Sequence, residues 1–327
     1  MRERDFAYAV GRIRALETKL LDRAKLERLS EAGSLNEVLS GLGESEYGPA
    51  IGNLKDPNQF EAALNAELAR VIKLVTELSG GAPEVKAFVH RYDLQNIKLI
   101  LKTADGNPTG LSHLGVWNPE WLIQRLNEND LAELPEAFRR AIDLAKATFK
   151  ATGDTQEIDR IMDAAWFDYG YQVLKEGISE LLFNWWVAFI DLTNLRTFIR
   201  LRMIGSGFGE LQRFFIDNGG VKLQDFKELW EQPDEKVTAW LANTDYSKLL
   251  SDGAGTLGSL TQLERDCDNF LLDKIAPAKM ISLGIEPLVG YLLAKENEVK
   301  LLRIILVGKA NQLSGPEIKE RLRRAYA

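Results

Sequence analysis

The chain has 327 residues, 45% of them hydrophobic, with a formal net charge of −7 and a single cysteine, Cys267. This length and apolar content predict a folded protein of two or three domain-sized units, and the acidic balance argues against a general nucleic-acid binder, which needs basic surface. A lone cysteine excludes an intrachain disulfide and a cysteine-bound metal cluster, and it fits a reducing compartment.

The first residues, MRERDFAYAVGRIRALETKLL, are charged and helix-periodic. They lack the apolar segment and small-residue cleavage site of a signal peptide, so a cytoplasmic location is expected. The longest apolar run, LLFNWWVAFI, has ten residues at 181–190, against roughly 20 needed to cross a bilayer. We therefore expect no membrane-spanning segment.

Apolar residues recur at three- and four-residue spacing along the chain, as in ALNAELARVIKLVTEL and AFRRAIDLAKATFKA. Period-two runs of β-branched residues are missing, and turn signals such as SGGAP, DGNPTG and DNGG separate the helical runs. The pattern predicts an all-α protein with helices of ordinary length.

An internal repeat organises these helices. DLQNIKLILK begins at Asp93, DLTNLRTFIR at Asp191 and EVKLLRIILV at Glu298, each with a basic residue five positions after the acid. Another acid lies 32 residues upstream of each one, at Glu61, Asp159 and Asp266. The constant spacing predicts three divergent helical units, with approximate bounds 1–110, 111–215 and 216–327.

The acid and amide of these helices fall on the apolar side. On a helical projection Asp93 and Asn96 lie within the arc of Leu94, Ile97 and Leu101, and the second copy repeats this with Asp191 and Asn194. Unpaired buried polar groups cost about 1 to 3 kcal/mol each, so we expect hydrogen bonds to a neighbouring helix. The pattern favours structural joints, formed by Asp93, Asn96, Asp191, Asn194 and Glu298.

Catalytic interpretations of the same residues are weaker. A di-metal helical bundle needs Glu-x-x-His pairs, yet the only histidines, His90 and His113, do not follow a Glu at that spacing. The third copy replaces the amide with Leu301, which a joint tolerates more easily than a catalytic element. GAGTLG at 253–258 fits a dinucleotide fingerprint but lacks the strand before it. We predict no catalytic residue, metal or cofactor.

Two other features leave alternatives open. The tryptophans Trp166, Trp185 and Trp186 could line the pocket of an all-helical enzyme or carrier, although aromatic residues at helical spacing are more often core or interface. A helical-repeat scaffold for peptides is a third hypothesis, with repeats far longer than the ~34 to 47 residues of common solenoids. The basic residues Arg196, Arg200 and Arg202 are candidates for partner contact.

Four elements together carry a family resemblance: the triplicated [DE]-L-x-N-[IL]-[KR] helices, YAVGRIRALETKLL, the L-x-x-T-D-Y-x-x-L-L segment at 241–250, and EIKERLRRAYA near the end. Over essentially the whole chain the sequence resembles the C subunit of the bacterial and archaeal vacuolar-type ATPase/synthase, the counterpart of the eukaryotic d subunit. Departures are Leu301 and a weak middle copy before Asp159.

The resemblance implies a funnel of three helical bundles around a pseudo-threefold axis. It implies a non-catalytic rotor subunit of the central stalk that joins the shaft subunits to the proteolipid ring, linking ATP hydrolysis or synthesis to ion transport. Such a subunit would be peripheral to the membrane through its complex, with no nucleic-acid partner and no cofactor.

Overall fold

The computed structural model describes residues 6–104, 106–250 and 259–327. Within these ranges the protein is helical and has no strand. The predicted all-α class is confirmed. The glycine-rich segment 253–258 lies outside the described residues.

Sixteen α-helices, numbered α1 to α16 in chain order, are found in the described part of the chain. Their bounds are Ala7–Glu17, Arg23–Glu31, Leu35–Leu42, Gly48–Ile51, Phe60–Leu78, Pro83–Lys102, Pro119–Glu128, Glu136–Thr152, Thr155–Glu176, Glu180–Met203, Phe208–Phe214, Leu223–Leu229, Asp234–Ala242, Leu260–Ile275, Glu286–Ala310 and Gly315–Arg321. Short 3-10 helices cover Pro57–Gln59, Ser247–Leu250 and Ala276–Met280.

Short polar side chains set many of the helix starts. Asp22, Asn118 and Asp154 accept hydrogen bonds from backbone N–H groups in the first turns of α2, α7 and α9, which satisfies donors that have no partner inside the helix. Ser314 and Glu317 form a reciprocal capping box at the start of α16. Local sequence therefore fixes where these helices begin.

The chain forms two compact units. The first comprises Met1–Ser79, Leu195–Phe208 and Gln224–Ala327. Its centre is α15, which packs against α1, α2, α3 and α5 and is buried on nearly every side. A helix enclosed all round is expected to be apolar all round, so its two buried charged residues, Lys295 and Glu298, are exceptions that need partners.

The second unit comprises Gly80–Asn194 and Gly209–Leu223. In it α9 packs against α6 and α8 around an aromatic core. Trp186 is fully buried, and its indole N–H donates to the Phe167 carbonyl at 3.1 Å. The ring lies so close to Gly170 that a Cβ there would meet its Cζ2 atom at 2.1 Å.

These two units do not coincide with the three predicted segments, because residues 195–208 belong with the first and last parts of the chain. The three-segment division stays a prediction. Across the described residues, no helix combines the length and apolar character needed to cross a membrane.

Two helix-interior glycines make a matched test of packing. Gly170→Ala is expected to destabilise the protein by about 1 to 3 kcal/mol, because the new methyl overpacks against Trp186. Gly11→Ala in α1 meets nothing within 4 Å and is expected to stabilise by roughly 0.5 to 1 kcal/mol through helix propensity. Denaturant unfolding of both variants gives the sign. A neutral Gly170→Ala would contradict the described packing of Trp186.

Candidate functional site

The three repeated acids all lie buried within long helices: Asp93 in α6, Asp191 in α10 and Glu298 in α15. Since a buried carboxylate is costly unless it is hydrogen-bonded, each needs donors nearby. At all three sites the donors include backbone N–H groups of connecting segments, and side chains lie within hydrogen-bond distance of Asp93 and Glu298 as well. Contrary to the expectation from the sequence, these N–H groups do not come from the face of a neighbouring helix.

At the first site the Asp93 carboxylate accepts from the N–H of Val116 at 2.9 Å and of Trp117 at 3.0 Å. The ring nitrogen Nδ1 of His90 lies 2.8 Å from the same carboxylate. Asn96 then makes a two-bond pair with Ser112: its Nδ2 donates to the carbonyl at 2.8 Å, and its Oδ1 accepts from the N–H at 2.8 Å. The connector is thereby held against α6 at two points.

The second site repeats this chemistry. Asp191 accepts from the N–H of Gly220 at 3.1 Å and of Val221 at 2.9 Å. Asn194 pairs with both backbone groups of Ile216, donating to the carbonyl at 2.8 Å and accepting from the N–H at 2.9 Å. The acid and amide thus make the same set of backbone bonds in two copies of the repeat.

The third site is built differently. Glu298 accepts from the N–H of Leu21 at 2.5 Å, from the Tyr47 hydroxyl at 2.8 Å and from Lys295 Nζ at 2.6 Å. Lys295 also lies 3.4 Å from Glu67. Leu301, which replaces the amide, is a buried apolar residue. Side-chain donors here take the place of the second backbone N–H and the amide of the other two sites.

Burial, followed by the facing Glu298 carboxylate, raises the pKa of Tyr47 well above its ordinary value. The phenol therefore stays protonated, and its O–H donates a hydrogen bond to the Glu298 carboxylate. Breaking a buried charged network by removing one partner costs about 3 to 5 kcal/mol, because the remaining charge is left uncompensated. The third site accordingly depends on all of its members together.

The three sites share one register. The donating residue lies two positions before the start of the next short helix, with Trp117 before α7, Val221 before α12 and Leu21 before α2. The third bond joins residues 277 positions apart in sequence. A buried acid in each long helix therefore fixes the entry to a short helix, and the last long helix reaches back to the beginning of the chain.

Side-chain length and connector composition match at each site. A Cβ at Gly115 would lie 2.1 Å from Asp93 Oδ1, and one at Gly219 would lie 2.2 Å from Asp191 Oδ1. The short aspartate arm thus needs a glycine beside the donating N–H groups. At the third site the connector carries Lys19 and Leu20 in place of glycine, and the acid is the longer glutamate.

Ion pairs near the surface accompany the buried acids. Arg303 binds Glu61 through two hydrogen bonds of 2.7 and 2.9 Å, which joins the basic residue of the third copy to the upstream acid of the first. Lys102 Nζ contacts both oxygens of Asp159 at 2.6 Å, and Lys98 pairs with Asp163. The Arg303–Glu61 and Lys102–Asp159 pairs are partly exposed to solvent, and pairs of this kind contribute about 1 kcal/mol or less. Their main effect is to hold the paired helices in position.

The three arginines predicted as partner contacts have different surroundings. Arg200 pairs with Glu264 at 3.0 Å. Arg202 donates to the carbonyls of Leu229 and Gln232 at 2.9 and 2.6 Å and pairs with Asp234 at 2.9 Å. Internal contacts thus occupy both guanidinium groups. For Arg196, Arg200 and Arg202 partner contact stays a prediction.

The tryptophans of the pocket hypothesis are packed together in the second unit. Ring centroids of Trp166 and Trp186 are 5.3 Å apart, and those of Phe88 and Trp185 are also 5.3 Å apart. The Trp166 indole N–H donates to the Ala87 carbonyl at 2.8 Å. All three indoles are buried. The arrangement is that of a packed core, in which backbone carbonyls accept from the indole N–H groups of Trp166 and Trp186.

Besides the buried acids, side chains that could react or bind a metal bear on function, and the Cys267 thiol among them is buried. Burial raises the pKa of the Cys267 thiol to about 12, which keeps it in the unreactive protonated form. Among the described residues, no group of three or more His, Cys, Asp or Glu side chains is arranged to hold a metal ion. The buried acids and their hydrogen bonds therefore support a structural role, which is to hold helices and connectors in place.

A family profile described as ATP synthase (C/AC39) subunit matches residues 9–321. The chain belongs to this family. It is similar to the C subunit of the A-type ATP synthase of Methanocaldococcus jannaschii, with 28% identity covering 97% of this chain and 86% of the relative. It is also similar to the C subunit of the V-type sodium ATPase of Enterococcus hirae, with 28% identity over 96% and 97% of the two chains. The family resemblance is confirmed.

Sequence reasoning missed several members of the sites. Lys295 has a recognisable signal, because it directly follows the apolar residues YLLA of α15 and stands three residues before Glu298. Tyr47 aligns with Tyr246 between copies of the repeat, but that match alone predicts no contact. Gly115 and Gly219 have the pattern of ordinary turn residues, since nothing in the sequence shows that a carboxylate lies against them.

Removing one of the repeated acids should lower the free energy of unfolding, because its hydrogen-bond donors are left without an acceptor. Asp191→Ala is expected to destabilise by about 1 to 3 kcal/mol, because the N–H groups of Gly220 and Val221 lose their acceptor. Asp217→Ala, at an exposed position of the same connector, is the control and should stay within about 0.5 kcal/mol of the parent. Equal thermal and denaturant midpoints for the two variants would contradict the structural role of Asp191.

The match of side-chain length predicts that Glu298 cannot be shortened. Glu298→Asp keeps the charge but draws the carboxylate back from Leu21 and Tyr47, and it is expected to cost about 1 to 3 kcal/mol. Glu320→Asp, at an exposed position of α16, controls for the helix propensity of aspartate. Unfolding by urea measures both. A loss no larger than that of the control would show that reach is unimportant.

Proposed function

We propose that the chain is a non-catalytic central-stalk subunit of a vacuolar/archaeal-type rotary ATPase. In this role it is a socket that couples the central shaft to the membrane rotor ring, so that ATP hydrolysis or synthesis is linked to ion translocation. The observation that carries the proposal is family membership over residues 9–321. Relatives named as subunits of A-type ATP synthases and a V-type sodium ATPase support it.

The repeated joints support a cyclic arrangement of the three predicted segments 1–110, 111–215 and 216–327. Asp93 holds the entry to α7, which begins the second segment's short helices, and Glu298 holds the entry to α2 in the first. Each buried acid thus contacts a connector ahead of it in cyclic order. Such closure suits a pseudo-threefold funnel.

The ion pairs run in the same cyclic direction. Lys102 of the first segment pairs with Asp159 of the second, and Arg200 of the second pairs with Glu264 of the third. Arg303 of the third pairs with Glu61 of the first. Three pairs that each lead from one segment to the next are what a closed array of similar units requires.

Buried joints suit a part that carries torque. Each acid is satisfied only when its connector is in register, since a displaced N–H leaves a buried carboxylate without a donor. The resistance to displacement is therefore built into the helix packing and needs no ligand. A coupling piece has to bind on both sides, to shaft and ring, and remain cytoplasmic and peripheral to the membrane through its complex.

Reconstitution tests the coupling role. Liposomes that hold the catalytic head, shaft and ring should show ATP-driven ion uptake with this chain present and uptake at background level without it, while the head continues to hydrolyse ATP. Adding the purified chain back should restore uptake, and the chain alone should hydrolyse no ATP. Equal uptake with and without the chain would reject the proposal.

A further inference from the structure

The first unit has an apolar groove of about 600 Å³ at the end of α15. Its floor consists of aliphatic side chains from α15, from the turn that follows it and from α16: Ile304, Val307, Leu313 and Ile318. Val307 is 43% exposed although it is a β-branched apolar residue on a helix. The groove therefore presents apolar surface to solvent in the last two turns of α15.

Comparison of the three repeats shows that this exposure is particular to the third. Val307 lies nine residues after its repeat acid, the position of Lys102 in the first copy and Arg200 in the second. Both of those cations form ion pairs, with Asp159 and Glu264. The third copy thus has an exposed apolar residue where the others have a paired cation, so this position does not serve the same surface role in all three.

Arginines surround the apolar floor. Three guanidinium groups line the groove, those of Arg303, Arg321 and Arg323, and among the described residues no carboxylate lines it. Arg303 and Arg323 pair with Glu61 and Asp268. Arg321 is exposed, and within the described residues its guanidinium forms no ion pair. Because Glu61 and Asp268 balance the charges of Arg303 and Arg323, Arg321 is the rim residue that favours an occupant with negative charge beside its apolar surface.

The surroundings decide what form the occupant takes. Strand addition needs a free sheet edge, and the groove is bordered by helices and turns. A polyproline segment needs an aromatic-lined groove, and no aromatic side chain of the described residues lines this one. An amphipathic helix fits, because apolar residues spaced three and four apart can enter the floor while its flanks face the rim.

We propose that this groove docks an acidic-flanked amphipathic helix of another subunit of the rotary complex. The proposed function supplies one part of this inference, namely that the partner belongs to the rotary complex. Ile304, Val307, Leu313 and Ile318 would receive its apolar side chains, and Arg321 would pair with a carboxylate on its flank. A concave floor of this size favours a helix over a flat lipid surface.

Thiol labelling tests the groove in the assembled complex. Cys267 is buried, so Val307→Cys introduces the one accessible thiol. Maleimide should label it quickly in the isolated chain and about tenfold more slowly in the purified complex, as for a site open in about a tenth of molecules. Leu144→Cys, on exposed α8 surface, is the matched control and should not share this protection. Equal rates for Val307→Cys in chain and complex would overturn the groove while leaving the proposed function intact.

A photo-crosslinker attached at Val307→Cys identifies the occupant by mass spectrometry. Attachment to an acidic amphipathic helix of another subunit supports the proposal. Attachment to this same chain, to a second copy, to a basic segment or to lipid overturns it. If the chain is absent from the purified complex, both the groove and the proposed function fail, which distinguishes the two results.

Charge reversal gives an independent readout. Arg321→Glu should weaken assembly by about tenfold at 0.1 M salt and by much less at 1 M, where the Debye length falls from about 10 Å to about 3 Å. Lys150→Glu, at an exposed position of α8, is the control for the same change of sign. If Arg321→Glu assembles as well as the parent at low salt, the proposed pairing of Arg321 with an acidic flank of the docked helix is wrong.

Discussion

The structure depends on a buried carboxylate in a long helix that is satisfied by backbone N–H groups of a connector. Because such a group is costly to leave unpaired, its position fixes the connector, and the connector fixes the start of the next short helix. Asp93 and Asp191 do this through adjacent N–H pairs. These hydrogen bonds fix the positions of the connectors relative to the long helices. Hydrophobic contacts alone, which are not directional, would not specify these positions.

The fold class and the buried acids could be predicted from the sequence, whereas their partners could not. Helical periodicity is a property of side chains, so it placed Asp93, Asn96, Asp191 and Asn194 on apolar faces where the structure buries them. The donors are main-chain groups of irregular connectors, which any sequence can supply. In the sequence, only the glycines next to these N–H groups hint that a carboxylate lies close by. Glycine is common in turns of every kind, so this hint is not specific.

The same asymmetry applies to the third site and the aromatic cluster. Lys295 and Glu298 are spaced three apart, which a sequence shows, but Glu67 and Tyr47 come from distant segments and meet them only in the folded chain. For Trp166 and Trp186, composition cannot distinguish a pocket from a core. The deciding quantity is the 5.3 Å separation of their rings, which depends on how α9 and α10 pack in the second unit.

Three buried acids that each bind a connector create a risk that one of them docks on the wrong connector. Side-chain length opposes this exchange. Aspartate would fall short of the Leu21 connector, which has no glycine to allow close approach, and glutamate would overfill the space beside Gly115 or Gly219. The Lys295 ammonium adds a second distinction, because it is balanced by the carboxylates of Glu298 and Glu67. We infer that the buried charges of the third site contribute mainly to correct pairing of acid and connector and add little stability. Burying these charges costs desolvation free energy, and the gain in specificity offsets that cost.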